Sequence, residues 1–206
     1  NYPTGTDNVA LGNTALDSVE AGGDNNTAIG SNAGTAITTA DNNTAVGKDA
    51  LLSATTGNSN TAVGKLVLSN TTTGTGNTGV GVNALLTNIT GIDNVAIGTN
   101  TLNQNTARRN TAIGVSALQC NTSGESNSAL GHFSLDANTT GSNNVGIAGG
   151  LGGNTTGSGN IGIGSGSLAN NTTCSDNVAV GKSAAQETNS SHGIVAIGAY
   201  ALCKNT

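Results

Sequence analysis

The residues of this chain that could perform acid–base or metal chemistry are few and widely separated. Its 206 residues include two histidines, His132 and His192, and eleven carboxylates spread along the whole chain. If the chain forms stacked coils, as its repeat indicates, the two imidazoles lie about 19 Å apart, too far to share a metal ion or a proton. We therefore predict no catalytic residue, no metal site and no cofactor, and expect that the chain is not an enzyme.

Three cysteines, Cys120, Cys174 and Cys203, are the residues best suited to covalent cross-linking. None of them forms a Cys-x-x-Cys motif, which disfavours a zinc site or a redox pair. In an oxidising compartment an odd number leaves at least one thiol unpaired or bonded to another molecule. Cys203 lies near the C-terminal end of the sequence and is our candidate for a disulfide to a neighbouring subunit.

Asn-x-Ser/Thr triplets are candidates for a second covalent reaction, N-linked glycosylation. The acceptors are Asn25, Asn42, Asn70, Asn88, Asn121, Asn138, Asn154, Asn170, Asn171 and Asn189. Most of those from Asn70 onward follow a repeated glycine by six to eight residues, where the outer turn of a coil is expected. Turns rich in Asn and Thr also create such triplets by composition alone. Two interpretations therefore stay open: glycosylation in a eukaryote or its virus, and no modification in a bacterium.

Aspartates recur just before the first strand of the repeat, at Asp7, Asp24, Asp41, Asp93 and Asp176. Carboxylates at turns could bind calcium, but the Asp-bearing nonapeptide of calcium-binding β-rolls is missing from the sequence. We expect these side chains to cap turns, through hydrogen bonds to nearby backbone N–H groups.

A tandem repeat governs where all of these side chains lie. The pentapeptide Asn-Thr-Ala-Ile-Gly of residues 26–30 recurs, with variations, in twelve copies at a mean period near 17 residues. The residue before the final position is Leu, Ile or Val in every copy, and the residue before that is Ala or Gly. The opening Asn is replaced once, by Ile194. The eleven others, which we predict to form a structural side-chain ladder, are Asn8, Asn26, Asn43, Asn60, Asn77, Asn94, Asn110, Asn127, Asn144, Asn160 and Asn177.

A period near 17 residues is too short for the helical repeat families and suits one turn of a β-solenoid. Alternation of tiny and branched residues predicts that the pentapeptide is a strand, and its Gly provides the bend that ends it. An Ala-Leu pair follows three and four residues later and predicts a second short strand. The predicted fold is therefore all-β: a parallel β-solenoid (β-roll) of about twelve coils, with two short strands per coil. It makes residues 1–206 a single domain and a rod of roughly 58 Å.

Composition restricts the partners of such a rod. The net charge is −5 and only 8% of the residues are charged, so neither nucleic acid nor an anionic membrane is an expected partner. No apolar segment approaches the ~20 residues needed to span a bilayer, so we expect no membrane insertion. Trp is absent and Phe and Tyr total three residues, so the chain has no aromatic platform on which sugars could stack.

The sequence Asn-Thr-Ala-Ile-Gly, followed by Ala-Leu and then Asn-Thr-Thr-Gly, resembles the head repeats of YadA-like trimeric autotransporter adhesins. It is also similar to repeats of phage tail fibres, giant-virus surface proteins and large secreted bacterial repeat proteins. The resemblance extends from Asn8 to about Leu202, with a period longer than that of the adhesin heads. It implies a left-handed parallel β-roll that assembles as a trimer and binds a host surface or matrix.

We therefore expect a structural or adhesive extracellular fibre module on a cell or virion surface. Its expected partners are copies of itself and a host-surface receptor or matrix. Residues 202–206 joined to residues 1–5 would form another turn between copies, which suggests a segment of a longer solenoid or a protomer stacking head to tail. The alternatives are a trimeric adhesin or tail-fibre head, and an ice-binding solenoid. For the latter, Thr occupies the second pentapeptide position in only five copies.

Overall fold

The structure, a computed structural model that describes residues 5–204, is a stack of twelve short parallel strands separated by about eleven turns of a solenoid. The strands are β1 (Val9–Leu11), β2 (Thr27–Ile29), β3 (Thr44–Val46), β4 (Thr61–Val63), β5 (Thr78–Val80), β6 (Val95–Ile97), β7 (Thr111–Ile113), β8 (Ser128–Leu130), β9 (Val145–Ile147), β10 (Ile161–Ile163), β11 (Val178–Val180) and β12 (Val195–Ile197). Each strand pairs with its neighbours in sequence, so the order in the sheet is the order in the chain. The all-β, parallel solenoid fold and its spacing of about 17 residues are confirmed.

The predicted join between residues 202–206 and 1–5 falls largely outside residues 5–204. Within the described residues there is no helix with the length and apolarity needed to cross a membrane.

The pairing register places equivalent residues of successive copies side by side. In β3 and β4, for example, Ala45 is aligned with Ala62. The middle residue of each strand points into the coil, and from β2 to β12 it is buried and always Ala or Gly. A Cβ atom added to Gly79 would come within 2.4 Å of Cγ1 of Val67, which shows how narrow the interior is. The tiny residues of the repeat are therefore needed by the coil's own core.

Because the tiny residues face inward, the aliphatic residue that follows each of them faces outward. We call this column the aliphatic stripe. It comprises Leu11, Ile29, Val46, Val63, Val80, Ile97, Ile113, Leu130, Ile147, Ile163, Val180 and Ile197. None of the twelve is buried, and Val63 in the middle of the rod is 36% exposed. The strictest apolar column of the repeat thus lies on the surface of the rod.

The prediction of a second strand in each coil is wrong, since only one strand per coil forms in residues 5–204. The Ala-Leu segment has left-handed backbone angles that a β-strand cannot adopt, for example φ of 58° at Asn83 and 53° at Leu85. It still stacks from coil to coil through backbone bonds: Leu85 N–H donates to the Thr101 carbonyl at 3.1 Å. Coil stacking therefore continues without strand geometry.

The leucines of this segment form the largest side chains of the core. Leu51, Leu68, Leu85 and their equivalents as far as Leu168 are fully buried, whereas the equivalent Leu202 of the last coil is exposed. Leu151 belongs to the same buried column although it follows the pentapeptide by one residue fewer than the others do. Ala148, at the place of the repeated Gly in that copy, has φ of 57°, whereas the repeated glycines have values from 113° to 138°. The predicted glycine bend is confirmed, and the Ala-bearing copy makes its bend differently.

Candidate functional site

The opening Asn residues of the pentapeptides form a continuous hydrogen-bonded column, which we call the strand-start ladder. Asn77 represents it: its Oδ1 accepts from the backbone N–H of Asn94 in the next coil at 3.1 Å, and its Nδ2 donates to the Gly91 carbonyl at 2.8 Å. From Asn26 to Asn177 every ladder Asn is buried, and only Asn8 is half-buried. Most of these amides thus satisfy one donor and one acceptor of the adjacent coil, which an ionised Asp could not do because it has no donor. The exceptions among residues 5–204 are Asn43, whose Nδ2 donates to Asn26 Oδ1, and Asn177, whose Nδ2 has no protein partner.

A second buried asparagine column runs through six coils. It is not among the ladders predicted from the sequence. This turn ladder comprises Asn88, Asn105, Asn121, Asn138, Asn154 and Asn171. Nδ2 of each Asn after the first donates to Oδ1 of the one before it, at 2.7 to 3.2 Å. Its spacing of 16 or 17 residues is as regular as that of the strand-start ladder. In earlier coils the same column holds the buried residues Ile37, Ala54 and Thr71, so its polarity changes along the rod.

The turn ladder corrects half of the glycosylation prediction. Five of the ten predicted acceptors are Asn88, Asn121, Asn138, Asn154 and Asn171, and all five are completely buried. In Asn138, for example, Nδ2 donates to Asn121 Oδ1 and to the Gly141 carbonyl, so the atom that would carry the glycan has no free position. The other five, Asn25, Asn42, Asn70, Asn170 and Asn189, are exposed.

We expect glycans only on those exposed acceptors when the chain is secreted from a eukaryotic cell in folded form. A glycan attached to a turn-ladder Asn during synthesis would keep a buried polar column open and block folding. Peptide mass spectrometry of the folded fraction gives the occupancy of each site, and the aggregated fraction is the comparison. Glycans at Asn138 or Asn154 in soluble rods would contradict this expectation.

The titratable side chains do not form a reactive cluster. Within residues 5–204 no three His, Cys, Asp or Glu side chains lie close enough together to hold a metal ion. Burial raises the pKa of Asp136, while backbone hydrogen bonds and the nearby His132 oppose the rise. His132 instead contacts the ring of Phe133, with 3.9 Å between centroids. His192 accepts the backbone N–H of Ser175 through Nδ1, at 3.0 Å.

Turn residues just before the strand-start ladder cap the neighbouring coil. Asp24 Oδ1 accepts from the backbone N–H of Thr6, and Asp41 Oδ1 accepts from that of Asp24. Two of the five predicted aspartates thus act as caps, although toward the adjacent coil rather than their own turn. Asp7, Asp93 and Asp176 have left-handed φ values between 55° and 62°, a conformation that Asp tolerates.

The three cysteines are free thiols in separate coils. Cys174 is buried in a column that is otherwise mostly glycine, and its carbonyl accepts from Asn160 and Asn171. Cys120 and Cys203 are half-buried. The proposed role of Cys203 in a bond between subunits stays a prediction.

A recess lies at one of the two places where the repeat loses one residue. In one coil two residues, Ile89 and Thr90, separate the turn-ladder Asn88 from the buried Gly91. In the following coil Thr106 alone separates Asn105 from the buried Ala107. The shortened turn leaves a notch of about 280 Å³. Arg108 and Glu125 line the notch, and Arg108 Nε donates to Glu125 Oε2 at 3.0 Å. Both side chains are nearly half exposed.

Searches against family models, curated proteins and solved structures find no match for this chain.

Proposed function

We propose that this chain is a structural, adhesive module of an extracellular fibre on a cell or virion surface. The observation that carries the proposal is the strand-start ladder, which links every adjacent pair of coils from Asn8 to Ile194 through side-chain amides that are buried from Asn26 onward. Because each coil is bonded to the next by side chains as well as backbone, the rod resists bending and local opening. Such a rod is a suitable spacer between a surface and the target it binds. The extracellular location rests on the resemblance of the repeat to surface fibres.

Association with further copies of the same chain is part of the proposal. The aliphatic stripe presents one apolar side chain per coil, and none of the twelve strands contains a charged residue. A contiguous exposed apolar surface of this kind usually marks an interaction site. A second copy carries the same stripe at the same spacing of about 4.8 Å, so its side chains can interdigitate along the whole rod. Lateral bundling of this kind is compatible with a trimer.

End-to-end stacking is the other mode of self-association. Within the described residues β1 pairs only with β2, and β12 only with β11, so each of these strands has an unpaired edge. An unpaired parallel edge is a template for another strand. A further coil, from this chain or another, would extend the sheet.

Electron microscopy of the native assembly tests the proposed function. Continuous filaments with an axial repeat of ~4.8 Å would support the fibre, and side density at exposed turns would reveal glycans. Discrete rods in groups of three would favour an adhesin-type head. Isolated monomeric rods at high protein concentration would overturn self-assembly in both modes.

A lysine in the middle of the stripe is expected to weaken lateral association. In Ile97→Lys the ammonium group would be desolvated in the contact between copies, so we expect association to weaken by at least about tenfold. The isolated rod should keep its stability to within about 0.5 kcal/mol, because position 97 is already 39% exposed. Sedimentation velocity measures the association, and Thr140→Lys at an exposed turn is the control of equal charge. Equal association of the two variants would show that the stripe is not the contact.

A further inference from the structure

The shortened turn before Ala107 is one of two places where a coil is one residue short, and it forms a recess with charged walls. In seven other coils the residue two positions before the strand-start position caps its neighbour, as Asp41 does for Asp24 and as Ser158 does for Ser142. Arg108 and Glu125 occupy that column but bond to each other through their side chains instead, beside the notch. An exposed ion pair of this kind contributes only ~0–1 kcal/mol to stability, so stability alone does not account for it.

We propose that the notch binds one neutral saccharide unit through two adjacent hydroxyl groups. A hydroxyl both donates and accepts hydrogen bonds, so a vicinal diol matches a carboxylate placed beside a guanidinium. Among residues 5–204, Glu125 accepts only at Oε2 and Arg108 donates only from Nε, which leaves Oε1 and both Nη groups for a ligand. The two charges cancel within the pair, and the net charge of the chain is −5, so an anionic ligand gains nothing here.

The dimensions and lining of the notch fit a single sugar ring. Its volume of about 280 Å³ is just below the ~300 Å³ at which pockets for drug-sized ligands begin. Ile92 and Ala107 provide apolar surface for the C–H face of a ring, and Thr90 and Thr106 add hydroxyl groups. No aromatic residue lines it, so the affinity of one notch is expected to be only millimolar. Copies held in parallel would raise the effective affinity by avidity. A single rod has the notch, so this inference does not depend on fibre assembly.

The test is a titration of isotope-labelled protein followed by amide chemical shifts. The probes are the methyl glycosides of glucose, galactose and mannose, with glucuronate and inorganic phosphate as anionic comparisons. We expect saturable shifts at Gly91, Ala107 and Arg108 with at least one neutral glycoside. Arg108→Ala and Glu125→Ala should each weaken this binding by at least about tenfold, the effect of one lost charged hydrogen bond.

Two further variants make the result decisive. Lys65→Ala removes the same charge as Arg108→Ala from an exposed position in another coil and should bind normally. Insertion of one Thr between Thr106 and Ala107 restores the regular turn length, so this variant should fold and yet lose binding because the notch is filled. The proposal is overturned if no neutral glycoside gives saturable shifts, if the insertion variant binds as well as wild type, or if only the anions bind.

Discussion

Replacement of Gly64 by Ala is expected to lower the free energy of unfolding by about 3 kcal/mol or more. Gly64 has φ of 132°, a conformation that essentially only glycine adopts. A Cβ atom there would lie 2.6 Å from the carbonyl oxygen of Gly81, the equivalent residue of the next coil. The Cβ atom is fixed to the backbone of one coil and the oxygen belongs to the backbone of the next. Neither can therefore move without opening the contact between the two coils.

Two control variants separate the clash from the backbone strain. Gly193 also has a left-handed φ, of 69°, but no atom lies within 4 Å of an added Cβ. Gly193→Ala should therefore cost only about 1 kcal/mol. Ala148→Gly changes the one copy that bends at φ of 57° and should have a similarly small effect. Urea unfolding curves give the midpoints and slopes for all of these variants. If Gly64→Ala and Gly193→Ala were equally destabilising, close stacking would not be the reason for the repeated glycine.

Much of the fold can be predicted from the sequence because stacking forces equivalent residues into equivalent environments. The pentapeptide strand and the glycine bend follow from columns that tolerate almost no variation. The second strand could not be predicted correctly, since a buried Ala-Leu pair at a fixed place in the repeat gives no information on the φ of Leu85. The left-handed angles are maintained by bonds between coils, such as that from Leu85 to Thr101, and bonds between distant residues leave no local signal.

The candidate sites were harder to predict for two physical reasons. Asn138 followed by two threonines satisfies a glycosylation motif and a ladder position equally well, and only burial distinguishes them. The regular recurrence of Asn88, Asn105 and Asn121 was the available signal for the second ladder. The notch arises from one missing residue. It becomes a candidate binding site only because Glu125, from the next coil, lies beside Arg108. That neighbour is defined by stacking rather than by sequence.

Removal of one amide from the strand-start ladder should destabilise the middle of the rod. Asn77→Ala leaves the buried backbone N–H of Asn94 without its acceptor and takes one of two donors from the Gly91 carbonyl. An unsatisfied buried group and the small cavity together are expected to cost about 2–4 kcal/mol. Hydrogen exchange should show the loss of protection first at Asn94 and in the coils on either side of it.

The controls for this prediction test chemistry as well as position. Asn70→Ala changes an exposed asparagine and should cost less than about 0.5 kcal/mol. Asn77→Asp retains the acceptor but places a carboxylate against the Gly91 carbonyl in a buried site, which raises the pKa of the new carboxyl group. The folded state then binds the proton more tightly than the unfolded state. The stability of the variant must therefore rise as the pH falls from neutral toward the pKa that the carboxyl group has in the unfolded chain. A variant whose stability relative to wild type did not change with pH would show that solvent reaches position 77 and that the ladder is not sealed.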